Sequence, residues 1–153
     1  MKVTSYRICK KEHAGTIWSG AGSRDFGGRW SSKGIPVVYT AQNRSLAALE
    51  QLVHLIKPRL LNGYVIASIS FDLVRVRRLD PAALPAGWES PVAPPALKKY
   101  GDDFLAGGAF PILAVPSAIV LHEWNYLFNP AHREFNGLAK SVPEPFMYDG
   151  RLG

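Results

Sequence analysis

A chain of 153 residues with 47% hydrophobic and 20% charged side chains has the makeup of one globular domain, long enough to bury about 70% of the surface its unfolded form exposes. No apolar run approaches the ~20 residues of a bilayer span, and no apolar core of ~7–15 residues follows the charged start Met1–Arg7, so neither a membrane protein nor export is expected. A net charge of +6 favours polyanionic ligands, and the single cysteine, Cys9, fits a reducing cytoplasm.

Residues 3–9 alternate weakly and predict a first strand. Residues 12–34 are rich in glycine, serine and charge and predict a long loop. Trp18, Phe26 and Trp30 within it argue that the loop docks onto the body and contributes to the site. Residues 36–40, β-branched and aromatic, predict a second strand. From Leu46 the spacing changes: Leu46, Leu49, Val53 and Ile56 recur at three and four, an amphipathic helix that Asn43 or Ser45 caps and Pro58 ends. Ala47, Glu50 and His54 run beside that stripe, which places Glu50 at the edge of the buried face.

Residues 63–71 predict a central strand, followed by an edge rich in arginine. There Arg75 and Arg77 share one face and Val74 and Val76 the other. Residues 81–95 hold five of the 12 prolines and predict an extended surface excursion. A short helix over 97–105 ends at Gly107-Gly108, and strands over 111–115 and 119–123 are interrupted at Pro116-Ser117. Residues 125–132, two amides and two aromatics ahead of Pro130 and His132, read as a turn. The C-terminal part, with Pro143, Pro145, Phe146 and Tyr148, forms one last strand or wraps the surface. No repeat or linker divides residues 1–153, which read as a single domain.

Several chemistries find no support. His13, His54, His122, His132 and Cys9 match no metal-ligand spacing, so no metal is expected. Gly20-Ala21-Gly22 lacks the third glycine and the strand–helix setting of a Rossmann turn. Ser117, in Val-Pro-Ser-Ala, lacks the glycines of a nucleophile elbow, and no phosphate loop occurs. The basic residues are spread along the chain, the tightest group being Arg75, Arg77 and Arg78, so direct nucleic-acid binding is not expected.

One stretch does carry chemistry. Arg29, Tyr39 and Glu50 offer a guanidinium fork for a pyrophosphate, a ring to lie against a nicotinamide or its ribose, and a carboxylate to stabilise the cation formed when a glycosidic bond breaks. Those three groups suit a dinucleotide, and they predict an enzyme that splits NAD+.

Six blocks extend this reading: Tyr6-Arg7-Ile8, Gly28-Arg29-Trp30, Pro36–Ala41, Leu49-Glu50 with Val53-His54-Leu55, Val115–Ile119, and Asn125–His132. Together and in this order they resemble the RES-domain toxins of bacterial toxin–antitoxin modules. The family is named for an Arg, a Glu and a Ser, which fall here at Arg29, Glu50 and Ser117. The resemblance implies an α+β fold, a compact single-domain mixed sheet with flanking helices related to ADP-ribosyltransferase toxins. It implies NAD+ as substrate rather than as a bound cofactor, with ADP-ribose passed to phosphate, to water or, in a protein ADP-ribosyltransferase, to a protein. It also implies a cognate Xre-type antitoxin that blocks the pocket within a hetero-oligomer. Glu50, Arg29 and Tyr39 are then the catalytic candidates and Ser117 orients the nicotinamide end. Arg7, Lys33, Asn125 and His132 are further candidates for contact with phosphate or acceptor.

Overall fold

A computed structural model of the chain describes residues 1–55 and 61–152. In chain order it forms β1 (Lys2–Lys10), α1 (Ala21–Phe26), β2 (Val38–Ala41), α2 (Arg44–Leu52), β3 (Tyr64–Asp72) and β4 (Val76–Arg78), then α3 (Lys98–Gly107), β5 (Ile112–Pro116), β6 (Trp124–Phe128), β7 (Ala139–Lys140) and β8 (Glu144–Phe146). The strands make one mixed sheet in the order β4-β5-β6-β2-β1-β3-β7, with β8 also on β3. Among the described residues only β4 and β5 run parallel. The fold class is therefore α+β, as expected. Among the described residues no helix is long and apolar enough to cross a membrane.

The sheet is tight on either side and open at one seam. β1 pairs with β3 along its whole length, from Lys2↔Asp72 to Lys10↔Tyr64. Its other neighbour, β2, meets it at a single pair, Tyr6↔Ala41. On one face α2 covers this seam, packing Leu46 and Ala47 against Ile8, Ala41, Tyr64 and Ile66. Farther along the same face, α3 and the loop after α1 cover Leu113, Val115 and Leu127 with Trp30, Val37 and Leu97. The reverse face buries Val38, Ile69, Phe71, Ile112 and Phe128 under Phe135. β5 is buried on both faces, which is why Ile112–Pro116 is apolar without alternation. Each such Leu, Ile or Val stabilises the fold by roughly 1.5–3 kcal/mol relative to exposure.

α2 begins as expected, with the Leu46 amide donating to Asn43 Oδ1 at 2.7 Å. Its buried stripe differs from the expected one. Leu46 and Ala47 are buried, but Leu49 is 36% and Val53 58% exposed. Glu50 stands one turn beyond Leu46 and Ala47, so seating those two on the seam turns the carboxylate inward and leaves Leu49 and Val53 in solvent. Ile56 and Pro58, expected to close the helix, lie outside the described residues.

Four other expectations are corrected. Residues 12–34 are not one loop: a 3-10 turn covers Lys11–Thr16 and α1 follows, tied down by Ser23 Oγ donating to Val37 O at 2.6 Å. Residues 119–123 are a turn rather than a strand, and the strand starts where a turn was expected. β6 pairs with β2 on one side and β5 on the other, from Trp124 to Phe128. Two-sided pairing outweighs the turn preference of Asn125, and only residues 129–132 turn, with Asn129 Oδ1 accepting from Ala131 N at 3.0 Å. The alternation at Arg75 and Arg77 is broken by a 3-10 turn over Leu73–Arg75. There Arg75 pairs with Glu134, while Arg78 lies 3.7 Å over the Trp124 ring. The C-terminal segment does both things considered for it: β7 and β8 extend the sheet beside β3, and Tyr148 then donates to Ala48 O at 2.7 Å, pinning α2.

Candidate functional site

α2 lies over the β1/β2 seam and offers Glu50, half-buried, to the space beyond it. Burial pushes the Glu50 carboxyl above the usual carboxylate range. The Asn125 amide, the Arg29 guanidinium and the Ser117 hydroxyl, in that order, pull it back. Four separate parts of the chain, α2, β6, the loop after α1 and the end of β5, therefore meet at one carboxylate.

The two neutral partners are each held by the backbone. Asn125 faces the same side as Ala41 and Val115 and donates from Nδ2 to Thr40 O at 3.2 Å. Ser117, fully buried after Pro116, accepts at Oγ from the amides of Ile119 at 3.1 Å and Val120 at 3.0 Å. With both of those bonds accepted, its hydroxyl proton is left to donate, and Glu50 is the acidic neighbour it acts on. The chain kink at Pro116-Ser117 thus serves the carboxylate.

Arg29 reaches the same space from the loop. Its Nη1 donates to Trp88 O at 3.1 Å and its Nη2 to Pro91 O at 3.3 Å, so the proline-rich excursion walls this side of the site. Two of the five guanidinium donors are used in these bonds, which leaves three. Burial lowers the Arg29 pKa from its ordinary value and Glu50 raises it, the counterpart of what Arg29 does to Glu50. The side chain remains a cation.

Tyr39 lies beneath this loop. Its hydroxyl bonds Ser31 Oγ at 2.7 Å and accepts from Trp30 N at 3.3 Å, and burial pushes its pKa up to about 12. The phenol stays neutral at any physiological pH with its oxygen already engaged, so only the ring is left to meet a ligand. A Cβ at residue 28 would run into that hydroxyl, which accounts for the glycine at Gly28.

The remaining candidates divide. Arg7 stands where β1 and β2 part, its Nη1 donating at 3.0 Å to Tyr39 O, a carbonyl that the short β1–β2 ladder leaves open. Its Nε is buried with no hydrogen-bond partner among the described residues, and desolvation lowers its pKa. Lys33 is exposed in the turn before Gly34. His132 lies past the opposite end of β6 from Asn125, its Nδ1 accepting from Glu134 N at 3.1 Å. Arg29, Glu50, Ser117 and Asn125 thus come together and Tyr39 adjoins them, while Arg7 meets only the Tyr39 main chain, and Lys33 and His132 do not join the group. Sequence reasoning passed over Ser31, Lys98 and Asp102, all of which grip the Arg29 loop. The only sequence trace of the last two is their i, i+4 spacing on α3.

A family model described as the RES domain matches residues 4–149. The chain is 35% identical over 148 residues to a protein named Toxin Res from Yersinia enterocolitica, covering 96% of this chain and 97% of that protein. It is 36% identical over 137 residues to a protein named Prs ADP-ribosylating toxin from Sphingobium sp., covering 88% and 85%. Its fold is similar to that of a chain in the crystal structure of the M. tuberculosis MbcT–MbcA toxin–antitoxin complex, with a TM-score of 0.78 over 96% of this chain and 85% of that one, at 18% identity. A family model that spans almost the whole chain, together with curated relatives matched nearly end to end, shows that the chain belongs to the RES-domain family of toxins.

Proposed function

We propose that the chain is the toxin of a toxin–antitoxin pair and that it consumes NAD+, breaking the bond between nicotinamide and ribose. The observation that carries this reading is the meeting of Glu50 and Arg29, a half-buried carboxylate and a cationic fork near enough for each charge to favour the other. Nicotinamide in NAD+ already carries positive charge. As its C–N bond breaks, the electron pair passes to the pyridinium nitrogen and neutral nicotinamide departs without a general acid. What the site must supply is stabilisation of the oxocarbenium-like ribose and a grip on the rest of the molecule.

Glu50 supplies the first, accepting from ribose hydroxyls and offsetting the charge at the reacting carbon. Arg29 supplies the second, its three remaining donors suited to diphosphate oxygens. The Tyr39 ring lies against the nicotinamide ribose, while Ser117 and Asn125 keep the carboxylate aimed. Arg7 adds buried positive charge beside Tyr39. The new bond at the ribose carbon is made by an oxygen of phosphate or water, and its proton leaves to solvent. A carboxylate whose affinity for protons is raised by burial is well suited to relay it. NAD+ is thus a substrate, and no permanently bound cofactor is needed for this chemistry.

The partner in this reading is an Xre-type antitoxin that covers the pocket in a hetero-oligomer, in keeping with the toxin–antitoxin complex whose toxin shares the fold. A second reading has support of its own. The relative named Prs ADP-ribosylating toxin makes a protein acceptor the alternative to phosphate or water. Purified, antitoxin-free chain incubated with NAD+, with and without phosphate, tests both. Free nicotinamide is expected, and folded protein that releases none refutes the proposal. Product seen only with phosphate identifies phosphorolysis, whereas label from adenine-labelled NAD+ that stays with a protein band identifies protein modification.

A further inference from the structure

The loop that carries Arg29 is gripped from outside by α3. Lys98, Gly101 and Asp102 lie at i, i+3 and i+4, on one face of that helix. Asp102 Oδ1 accepts from Ser32 N at 2.8 Å, and Oδ2 takes the Ser32 hydroxyl. The Lys98 ammonium donates to Gly28 O and, at 3.3 Å, to Ser31 O. Between them, a Cβ on Gly101 would run into the Trp30 carbonyl oxygen, so this helix approaches the loop as closely as a glycine allows. From the sheet side the Tyr39 hydroxyl holds Ser31 and Trp30 N. Segment 28–32 is therefore fixed on both sides. Arg29 alone sends its side chain out of the grip, toward Trp88 O and Pro91 O.

Neither Lys98 nor Asp102 is placed like an ordinary surface charge. Their neighbours one position along, Lys99 and Asp103, form the expected exposed i, i+4 ion pair at 3.1 Å. Lys98 and Asp102 instead turn to backbone atoms about seventy residues away in sequence. A charge-assisted bond to a main-chain group fixes where the loop's Cα atoms stand, and hence the origin of the Arg29 side chain. Misplacing a binding group by about 1 Å can cost on the order of 10²-fold in rate.

We propose that the Lys98–Gly101–Asp102 face of α3 is a positioning device for Arg29, fixing segment 28–32 so that the guanidinium is aimed at the anionic part of the substrate. The inference rests on the NAD+ reading for what Arg29 binds, and on geometry alone for what α3 does to the loop. Lys98 and Asp102 are positioning residues and touch no substrate. Losing either allows the loop to drift, which weakens the hold on the diphosphate in ground and transition states alike.

The test compares Lys98→Met and Asp102→Asn with the control variants Lys99→Met and Asp103→Asn on the same helix. Two readouts are taken: steady-state kinetics of NAD+ cleavage, and the Arg29 Nε–H resonance in the nitrogen-15 spectrum. The inner pair should raise KM for NAD+ about tenfold with kcat changed less than threefold, Lys98→Arg should restore most of the loss, and the outer pair should change nothing. In an Arg29→Ala background Asp102→Asn should add less than twofold, because its effect runs through Arg29. The Arg29 resonance should move in the inner variants and stay in the outer ones. A full-sized Asp102→Asn effect in the Arg29→Ala background overturns the proposal, as does an unmoved Arg29 resonance in folded Asp102→Asn. Wild-type protein that leaves NAD+ intact overturns the substrate reading only, since the resonance still decides the role of α3.

Discussion

Glu50→Gln isolates one charge while keeping the shape of the side chain and its polar interactions with Asn125 and Ser117. The carboxylate is half-buried at the edge of α2, so an effective dielectric of about 20 is the appropriate setting. At about 5 Å from a developing unit charge the interaction is then about 3 kcal/mol, or a factor of 10²–10³ in rate. That range agrees with what removal of one preorganised electrostatic group costs elsewhere. Stability should move the other way. Burial dominates the Glu50 shift and raises its folded pKa above the ordinary 4.5. A group raised in this way favours the fold when protonated, so its contribution is fully present below the unfolded pKa and is lost as pH rises through the folded one. At neutral pH the wild-type fold therefore carries a poorly solvated charge that glutamine removes. Nicotinamide release at pH 7.5 should fall at least 10²-fold in Glu50→Gln. Thermal melts should show the variant more stable than wild type near neutrality, with the gap closing toward pH 4. A variant that keeps a tenth of the wild-type rate, or melts below wild type at pH 7, would refute the electrostatic argument.

The same shift predicts a pH profile for the wild type: kcat/KM for NAD+ should decline with falling pH along a limb displaced upward from about 4.5, and that limb should disappear from the residual activity of Glu50→Gln. Arg29→Lys keeps the charge but not the fork held by Trp88 O and Pro91 O; KM for NAD+ should rise about tenfold or more in initial-rate assays, with a smaller change in kcat. Gly28→Ala sets a Cβ against the Tyr39 hydroxyl and should lower stability by about 1–3 kcal/mol in denaturant titration; adding Tyr39→Phe removes the obstructing oxygen and should recover part of that loss.

The elements that could be read in advance are those whose local signals agree with their surroundings. β1 and β3 carry the β-branched and aromatic side chains that a long paired strand favours, Asn43 caps α2, and α3 stops at Gly107-Gly108, the second of which takes a left-handed φ of 63°. β6 went unread because Asn125 and Asn129 favour turns locally, and only the presence of strands on both sides, β2 and β5, makes an extended Trp124–Phe128 the better solution. Leu49 and Val53 misled for a related reason. Periodicity says which residues share a face but not which face the sheet takes, and here it takes the one that turns Glu50 toward Arg29 and leaves two aliphatic side chains in solvent.

The site shows the same division more sharply. Arg29, Glu50 and Ser117 could be named as candidates from blocks of sequence, because the role proposed for each depends on its own side-chain chemistry wherever it stands. Tyr39 could be named for its ring, but the use of its hydroxyl left no local signal, because that oxygen is spent on Ser31 and Trp30 in the neighbouring loop. Lys98 and Asp102 left little trace beyond their i, i+4 spacing on α3. What they bind is main chain and a serine, groups present in every loop, so nothing in residues 28–32 records the need for a lysine and an aspartate on α3. Gly28 and Gly101 carry a further clue. Each stands where a methyl group would strike the Arg29 segment or the tyrosine beneath it. A glycine in the middle of a helix costs about 1 kcal/mol relative to alanine, and at residue 101 that cost is explained by the close approach that lets α3 hold the loop.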